Sequence, residues 1–249
     1  GAKLRPHTYT QPKPLIPLAG KTILSFILDQ FIAAGQKDFI FIIGYLGEKI
    51  KHYVEEKYPD IRTTFIVQHE RSGTGHAVYL AKDFIEPGEE ILVVYGDTIC
   101  DYNLHEVLDS PLSLGGVKKV DDPRDFGVAE IMADGMVKNA IEKPKIPKSN
   151  LALVGIYKFV GTARLFDVIE KEILTGPEQE EYHLTAVINS LVQDGMKIGT
   201  FQVSNWFDCG KKDTLLETNA TLLNKVEFAS EEIPFFDNTI IIHPVSIAE

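Results

Sequence analysis

Two acidic residues stand where an apolar run gives way to a turn. Asp97 closes the stretch YGD, directly after ILVVY. Asp208 sits in NWFDCGK, after an aromatic pair and before a glycine. In open α/β sheets ligands gather at the carboxyl ends of strands, and a carboxylate there suits a hard cation such as magnesium. A helix N-cap or a turn aspartate would present the same residue type, and Asp97 taken alone leaves these readings even. The two aspartates are far apart in sequence, so only the fold can unite them as a metal pair.

Three further segments carry chemistry of a related kind. In IEKPK, Glu142 and Lys143 end a strand-like run that Pro144 stops. A glutamate can accept hydrogen bonds from sugar hydroxyls and a lysine can hold a phosphate, although a lone pair of this type is more often a solvated surface pair. In QHERSGTGHAV, Gly73 and Gly75 lead into a helix, where a close backbone approach and a helix N-terminus both favour an anionic or flat ligand. Gly-rich strand-to-helix turns are common, so this segment is weak by itself. The opening stretch, GAKLRPHTYTQPKPLIPLAGK, carries Lys3, Arg5, Lys13 and Lys21 and no carboxylate, and the first acid of the chain is Asp29. Its four prolines, Pro6, Pro12, Pro14 and Pro17, fix the path of the segment and exclude a helix interior.

The elements that must position these residues alternate in type. TILSFILDQFIAAG has apolar residues at helical spacing (Ile23, Phe26, Ile27, Phe31) and closes on Gly35, a candidate C-cap. FIFII at 39–43 and ILVVY at 91–95 are continuous apolar runs, the mark of strands buried on both faces. Between them the pattern predicts a helix over 46–58, a strand over 63–68 and a helix over 74–83. This β/α alternation predicts an α/β protein with a mostly parallel sheet and helices on both sides. The second half is less regular. LSLGGVKKV, FGVAEI, VKNAIEKP and LALVGIYKFV read as strands, with helices near 162–173 and 183–194. KIGTFQV, NWFDCG and a helix near 211–226 follow.

Bulk properties narrow the function. The chain has 249 residues, 44% of them hydrophobic, enough for a real core. A formal charge of −11 argues against a nucleic-acid binder, which needs a basic face. No apolar run approaches the roughly 20 residues of a membrane span, and no signal-peptide pattern is visible, so a cytoplasmic setting is expected. Cys100 and Cys209, the only cysteines, suit a reducing compartment and read as inert thiols in or near the core. Both ends read as cut: Gly1 begins within a loop, and NTIIIHPVSIAE is a fresh apolar run that stops abruptly. No composition shift marks a linker before about residue 230.

Taken in order and spacing, these segments resemble the sugar-1-phosphate nucleotidyltransferases, which make nucleotide sugars. The family opens with a glycine loop and Thr-Arg-Leu-x-Pro, then Lys-Pro-x-x-Pro; here GAKLRP and PKPLIP stand in those places. Its Leu/Tyr-Gly-Asp, Glu-Lys-Pro and Trp-x-Asp-x-Gly motifs match YGD, IEKP and WFDCG. The resemblance runs from Gly1 to about residue 230. EKPKIPKSNLALVGIY is similar to the glucose-1-phosphate thymidylyltransferase subgroup, whereas GTGHA also resembles the N-acetylglucosamine-1-phosphate uridylyltransferases. The tail over 231–249 looks like the first coil of the left-handed β-helix found in longer members. Three departures stand out. Ala2 and Lys3 replace Thr and Arg, and EYHLTA, with His183 and Ala186, replaces Glu-x-Gln/Glu-Leu-Thr-Asp. The strand and first glycine that should precede Gly1 are not in the sequence, and that strand belongs in the middle of the family's sheet.

The resemblance implies a Rossmann-like mixed, mostly parallel sheet flanked by helices, of the nucleotide-diphospho-sugar transferase type. It implies nucleotide binding by Gly1, Lys3, Lys13, Gln68, Gly73 and Asp97, with Lys3 and Lys13 on the triphosphate and Gln68 and Gly73 on a pyrimidine edge. Gly127, Glu142, Lys143 and Val154 would bind the sugar phosphate, Lys3, Lys13 and Lys143 would serve catalysis, and Asp97 and Asp208 would hold magnesium. Arg5 would be structural or peripheral. The expected reaction joins dTTP or UTP to glucose 1-phosphate and releases pyrophosphate. A silent regulatory homologue that binds nucleotide sugars is the rival that Ala2, Lys3 and Ala186 keep alive. The oligomeric state is left open, a homo-oligomer included.

Overall fold

The computed structural model describes residues 4, 6–86, 88–175, 181–209, 212–224 and 245. Gly1, Lys3, Arg5 and, Val245 apart, the tail over 231–249 lie outside the described residues, as does the side chain of Asp208. The first half contains β1 (Pro17–Leu18), β2 (Lys21–Thr22), α1 (Ile23–Ala33), β3 (Asp38–Ile43), α2 (Gly47–Lys57), β4 (Arg62–Val67), α3 (Gly73–Tyr79) and β5 (Ile91–Val94). Then come β6 (Thr98–Asp101), α4 (Leu104–Asp109), β7 (Ser113–Lys119), β8 (Gly127–Ile131), β9 (Val137–Glu142) and β10 (Leu151–Phe159). The chain continues through α5 (Thr162–Thr175), α6 (Leu184–Gln193), β11 (Ile198–Gln202), β12 (Asn205–Asp208) and α7 (Lys212–Leu223).

Local chemistry sets both ends of α1, and the C-cap at Gly35 is the one the sequence predicts. The Thr22 hydroxyl accepts from Ser25 N at 3.0 Å and caps the first turn. At the other end Gly35 takes φ +84°. Gln36 N donates to Phe31 O and Gly35 N to Ile32 O, a Schellman pair that consumes two terminal carbonyls.

The sheet is mixed and helices cover both faces, as an α/β chain requires. Alternate residues of β5 face opposite layers. Ile91 and Val93 pack with Leu165 and Ile169 of α5 and Leu184 and Leu191 of α6. Leu92 and Val94 pack with Ile23, Ile27 and Phe31 of α1. Full burial of each such aliphatic side chain contributes roughly 1.5–3 kcal/mol.

Strand direction differs from the expectation of a mostly parallel sheet. Among the described residues the β3–β4 and β7–β11 ladders are parallel, whereas β10 runs antiparallel to β5, β7 and β8, as do β8 to β9 and β6 to β12. The physical reason lies in the second half: β8 and β9 are joined by a turn, not a helix, and a chain that turns directly back must pair antiparallel. FIFII and ILVVY are also less buried than expected. Phe39–Ile42 and Ile91–Val94 are half-buried. Among the described residues β3 pairs only with β4 and β5 only with β10, so each strand keeps one edge without a ladder. Cys100 and Cys209 are buried, and burial pushes the Cys100 thiol up, consistent with an inert core thiol there. No helix among the described residues is long and apolar enough to cross a membrane.

Candidate active site

The Pro-rich opening holds Lys13 on a single turn of 3₁₀ helix, Lys13–Leu15, entered from Pro12. Its Nζ lies 2.5 Å from Asp97 Oδ2. Asp97 is delivered by the end of β5 through Tyr95 and Gly96, and a Cβ on Gly96 would lie in ordinary contact with Pro14 Cγ at 3.4 Å, which places the two segments side by side. Thr98 Oγ1 donates to Asp97 Oδ1 at 3.3 Å. The β6–β12 ladder puts Asp208 opposite Thr98, one residue from Asp97. The two aspartates that sequence spacing could not unite therefore stand side by side along the backbone.

Gln68 follows β4 and is anchored by its own amide, which donates to Ile43 O at 2.8 Å. Its side-chain Nε2 donates to Gly73 O at 3.1 Å and sits 3.0 Å from His76 Nδ1. Gly73 has φ +91°, and a Cβ there would lie 2.4 Å from Tyr182 O, so only glycine fits without backbone movement. The whole loop is fastened to the segment before α6: Tyr182 N donates to Ser72 O, Gly75 N to Tyr182 O and Leu184 N to Thr74 Oγ1.

Glu142 closes β9 opposite Gly127 of β8. Its Oε2 accepts from Thr185 Oγ1 at 2.9 Å, and a Cβ on Gly127 would lie 2.7 Å from that same hydroxyl. Lys143 has φ +41°, outside the regions a lysine prefers, with its amide donating to Phe126 O and its Nζ 3.5 Å from Glu142 Oε1. More than half of the Lys143 side chain is exposed. Val154 is placed differently: its side chain is buried with Cys100, Ile156 and Val203.

Tyr95 is half-buried with its ring packed against the core, and desolvation pushes its phenol up to about 12 against hydrogen bonds with Thr74 and Tyr157 that act the other way. The negative charges of Glu142 and Asp97 both reach it and reinforce the rise. Gly155, at φ +82°, makes room, since a Cβ there would lie 2.5 Å from the Tyr95 ring. The loop of Gly73 thus reaches this phenol through Thr74, and the charges of Asp97 and Glu142 are felt there.

A sequence profile of the nucleotidyl transferases matches residues 1–225. The chain belongs to the nucleotidyl transferase family. Among its curated relatives, the bifunctional protein GlmU of Methanocaldococcus jannaschii is 37% identical over 226 residues, which is 91% of this chain and 53% of the relative. The corresponding protein of Methanococcus maripaludis strain C5 is 36% identical over 228 residues, again 91% and 53%. The chain therefore spans about half the length of these relatives. The UTP–glucose-1-phosphate uridylyltransferase AglF of Haloferax volcanii is 28% identical over 239 residues, covering 93% of this chain and 96% of AglF. A UDP-glucose pyrophosphorylase solved with UDP-glucose shares the fold at a TM-score of 0.76, with 18% identity over 89% of this chain and 94% of that one.

Tyr95, Thr185 and His76 are not among the candidate site residues named from the sequence. Tyr95 lay inside an apolar run and Thr185 inside the altered EYHLTA segment, and nothing local marks either as a contact of Glu142 or Thr74. His76 had a signal in GTGHA, because a residue three positions after Gly73 on a helix shares its face.

Proposed function

We propose that this nucleotidyl transferase joins a pyrimidine nucleoside triphosphate, UTP or dTTP, to glucose 1-phosphate and releases pyrophosphate. A phosphate oxygen of the sugar phosphate bonds to the α-phosphorus as the bond from that phosphorus to the β-bridging oxygen breaks, and that oxygen leaves on pyrophosphate. The nucleophile is already an anion and needs little general-base help. The barrier lies in bringing two polyanions together, so positioning and charge neutralisation carry the catalysis. The observation behind this reading is the Lys13–Asp97 ion pair, with the backbone of Asp208 brought next to it by the β6–β12 ladder.

In this scheme Lys13, with Lys3 and Gly1, receives the triphosphate, and Gln68 and Gly73 read the base. Glu142, Gly127 and the backbone around Val154 hold the sugar, and Lys143 orients its phosphate in line. The donor set at Asp97 and Asp208 suits magnesium, which takes one or two protein carboxylates and fills its shell with phosphate oxygens and water. Held there by Asp97 and Asp208, the ion would supply positive charge to offset the negative charge of the triphosphate. A cytosolic setting belongs to the same reading.

GTGHA favours N-acetylglucosamine 1-phosphate as a second acceptor, since the chain is more than one third identical to proteins named GlmU. The test is pyrophosphate release from UTP, dTTP, CTP, ATP and GTP against glucose 1-phosphate and N-acetylglucosamine 1-phosphate. Turnover with UTP or dTTP and glucose 1-phosphate is expected. Efficient use of ATP would overturn the base assignment. Background rates throughout, with nucleotide sugar still bound in calorimetry, would overturn the enzyme in favour of a regulatory homologue.

A further inference from the structure

Gln68 is held from two sides by α3. Its Nε2 donates to Gly73 O at 3.1 Å and lies 3.0 Å from His76 Nδ1. A backbone carbonyl only accepts, so Gly73 fixes the nitrogen end of the amide inward. An amide nitrogen does not accept, so Nδ1 is the acceptor of the second contact and the His76 ring proton sits on Nε2. Both amide hydrogens are then used within the chain, and Oε1 is the atom of Gln68 left to meet a ligand.

We propose that His76 is a positioning residue that makes Gln68 an acceptor-only reader of the base. This rests on the reading of Gln68 as the base-contacting residue. An acceptor selects a ring N–H opposite it. Uracil and thymine offer N3–H, whereas cytosine presents a lone pair at N3 and sets two acceptors face to face. The pair His76 and Gly73 therefore admits uracil and thymine and refuses cytosine of nearly the same shape. With Gly73 O alone, one amide hydrogen is free, the amide can turn outward, and the refusal weakens.

The experiment is calorimetric titration of the full chain with UTP and with CTP in magnesium buffer, read as the ratio of the two Kd values. His76→Ala is expected to reduce the preference for UTP roughly tenfold, the scale of one hydrogen bond. His76→Asn, whose Oδ1 can stand near the Nδ1 position and accept, is expected to restore most of it. An unchanged ratio in His76→Ala, or a ratio as low in His76→Asn as in His76→Ala, overturns the proposal. A readout free of variants is the ¹⁵N spectrum of the His76 ring in the unliganded wild-type chain: the Nε2–H tautomer is expected and the Nδ1–H tautomer overturns the proposal. Gln68→Ala separates the two levels. If it keeps the wild-type ratio, the base-reading assignment itself falls and this proposal with it, whereas insensitivity to His76 alone removes only the proposal.

Discussion

Lys13 Nζ lies 2.5 Å from Asp97 Oδ2, an ion pair between a residue set by flanking prolines and one released by the end of β5. The pair is uneven in exposure, with 14% of the Lys13 side chain and 41% of the Asp97 side chain open to solvent. In the proposed reaction each partner has another use: the ammonium for phosphate, the carboxylate for magnesium. In that scheme the ion pair holds the two charges together until the substrate separates them.

Asp97→Asn should therefore lower turnover by roughly 10²–10³-fold or more while changing stability by no more than about 1 kcal/mol, because the carboxylate is solvent-screened. Asp208→Asn should behave alike. The double variant should be little worse than either single one, since both act through the same ion. Pyrophosphate release and thermal melting check this, and near-normal turnover in either variant would remove the two-aspartate assignment.

Lys143 is held at φ +41°, where a side chain is strained and glycine is not. Lys143→Gly should leave the fold as stable as wild type or up to about 1 kcal/mol more stable. It should also cut kcat/KM for glucose 1-phosphate on the order of 100-fold, as expected when a charge on a phosphate is lost. Lys143→Ala should show the kinetic loss without the gain in stability. Weaker triphosphate binding with unchanged sugar-phosphate kinetics would show that this lysine serves the other ligand.

Thr185→Val removes the hydroxyl that donates to Glu142 and keeps the shape. The glutamate then loses its orienting partner, and KM for the sugar phosphate should rise roughly tenfold, on the scale of a hydrogen bond to a charged group. Thr185→Ser should recover most of the loss. Equal KM values in all three forms, from steady-state kinetics, would assign Thr185 to packing alone.

Burial raises Tyr95 from the ordinary phenol value near 10 to about 12. The folded chain thus keeps a proton that the unfolded chain gives up. The stability this represents is present below pH 10 and is lost as pH climbs from 10 to about 12. Tyr58, Tyr102 and Tyr157 are raised as well and act in the same direction. Tyr95→Phe should lose about 1 kcal/mol at pH 8 through its hydrogen bonds and should show a shallower alkaline decline than wild type. Urea melts between pH 8 and pH 11 check both, and a decline of unchanged slope would contradict the shift.

What was legible in the sequence was local. The helical spacing and Gly35 marked α1 because each acts within a turn of its own position, whereas the Thr22 cap was not singled out. Gly73 stood out as a glycine of a strand-to-helix turn, whereas Gln68 entered only through the family resemblance. What was not legible was pairing between distant segments. The β6–β12 ladder that brings Asp208 beside Asp97, and the reach of Thr185 to Glu142, depend on which strands and helices meet, and hydrophobic period carries no record of partners. Strand direction failed for the same reason: period two marks a strand without saying which way its neighbour runs.

The loop that carries Gly73 and the segment that carries Thr185 are spliced together through Tyr182, whose N–H donates to Ser72 O and whose carbonyl accepts from Gly75 N. Three residues further on, the Thr185 hydroxyl grips Glu142. The base end and the sugar end of the proposed site therefore share one length of backbone. Neither can drift alone: a substitution that shifts the splice to suit a new base also moves the clamp on the sugar. Preference for the two substrates should consequently change together in evolution, and a redesign aimed at one of them has to be screened against both.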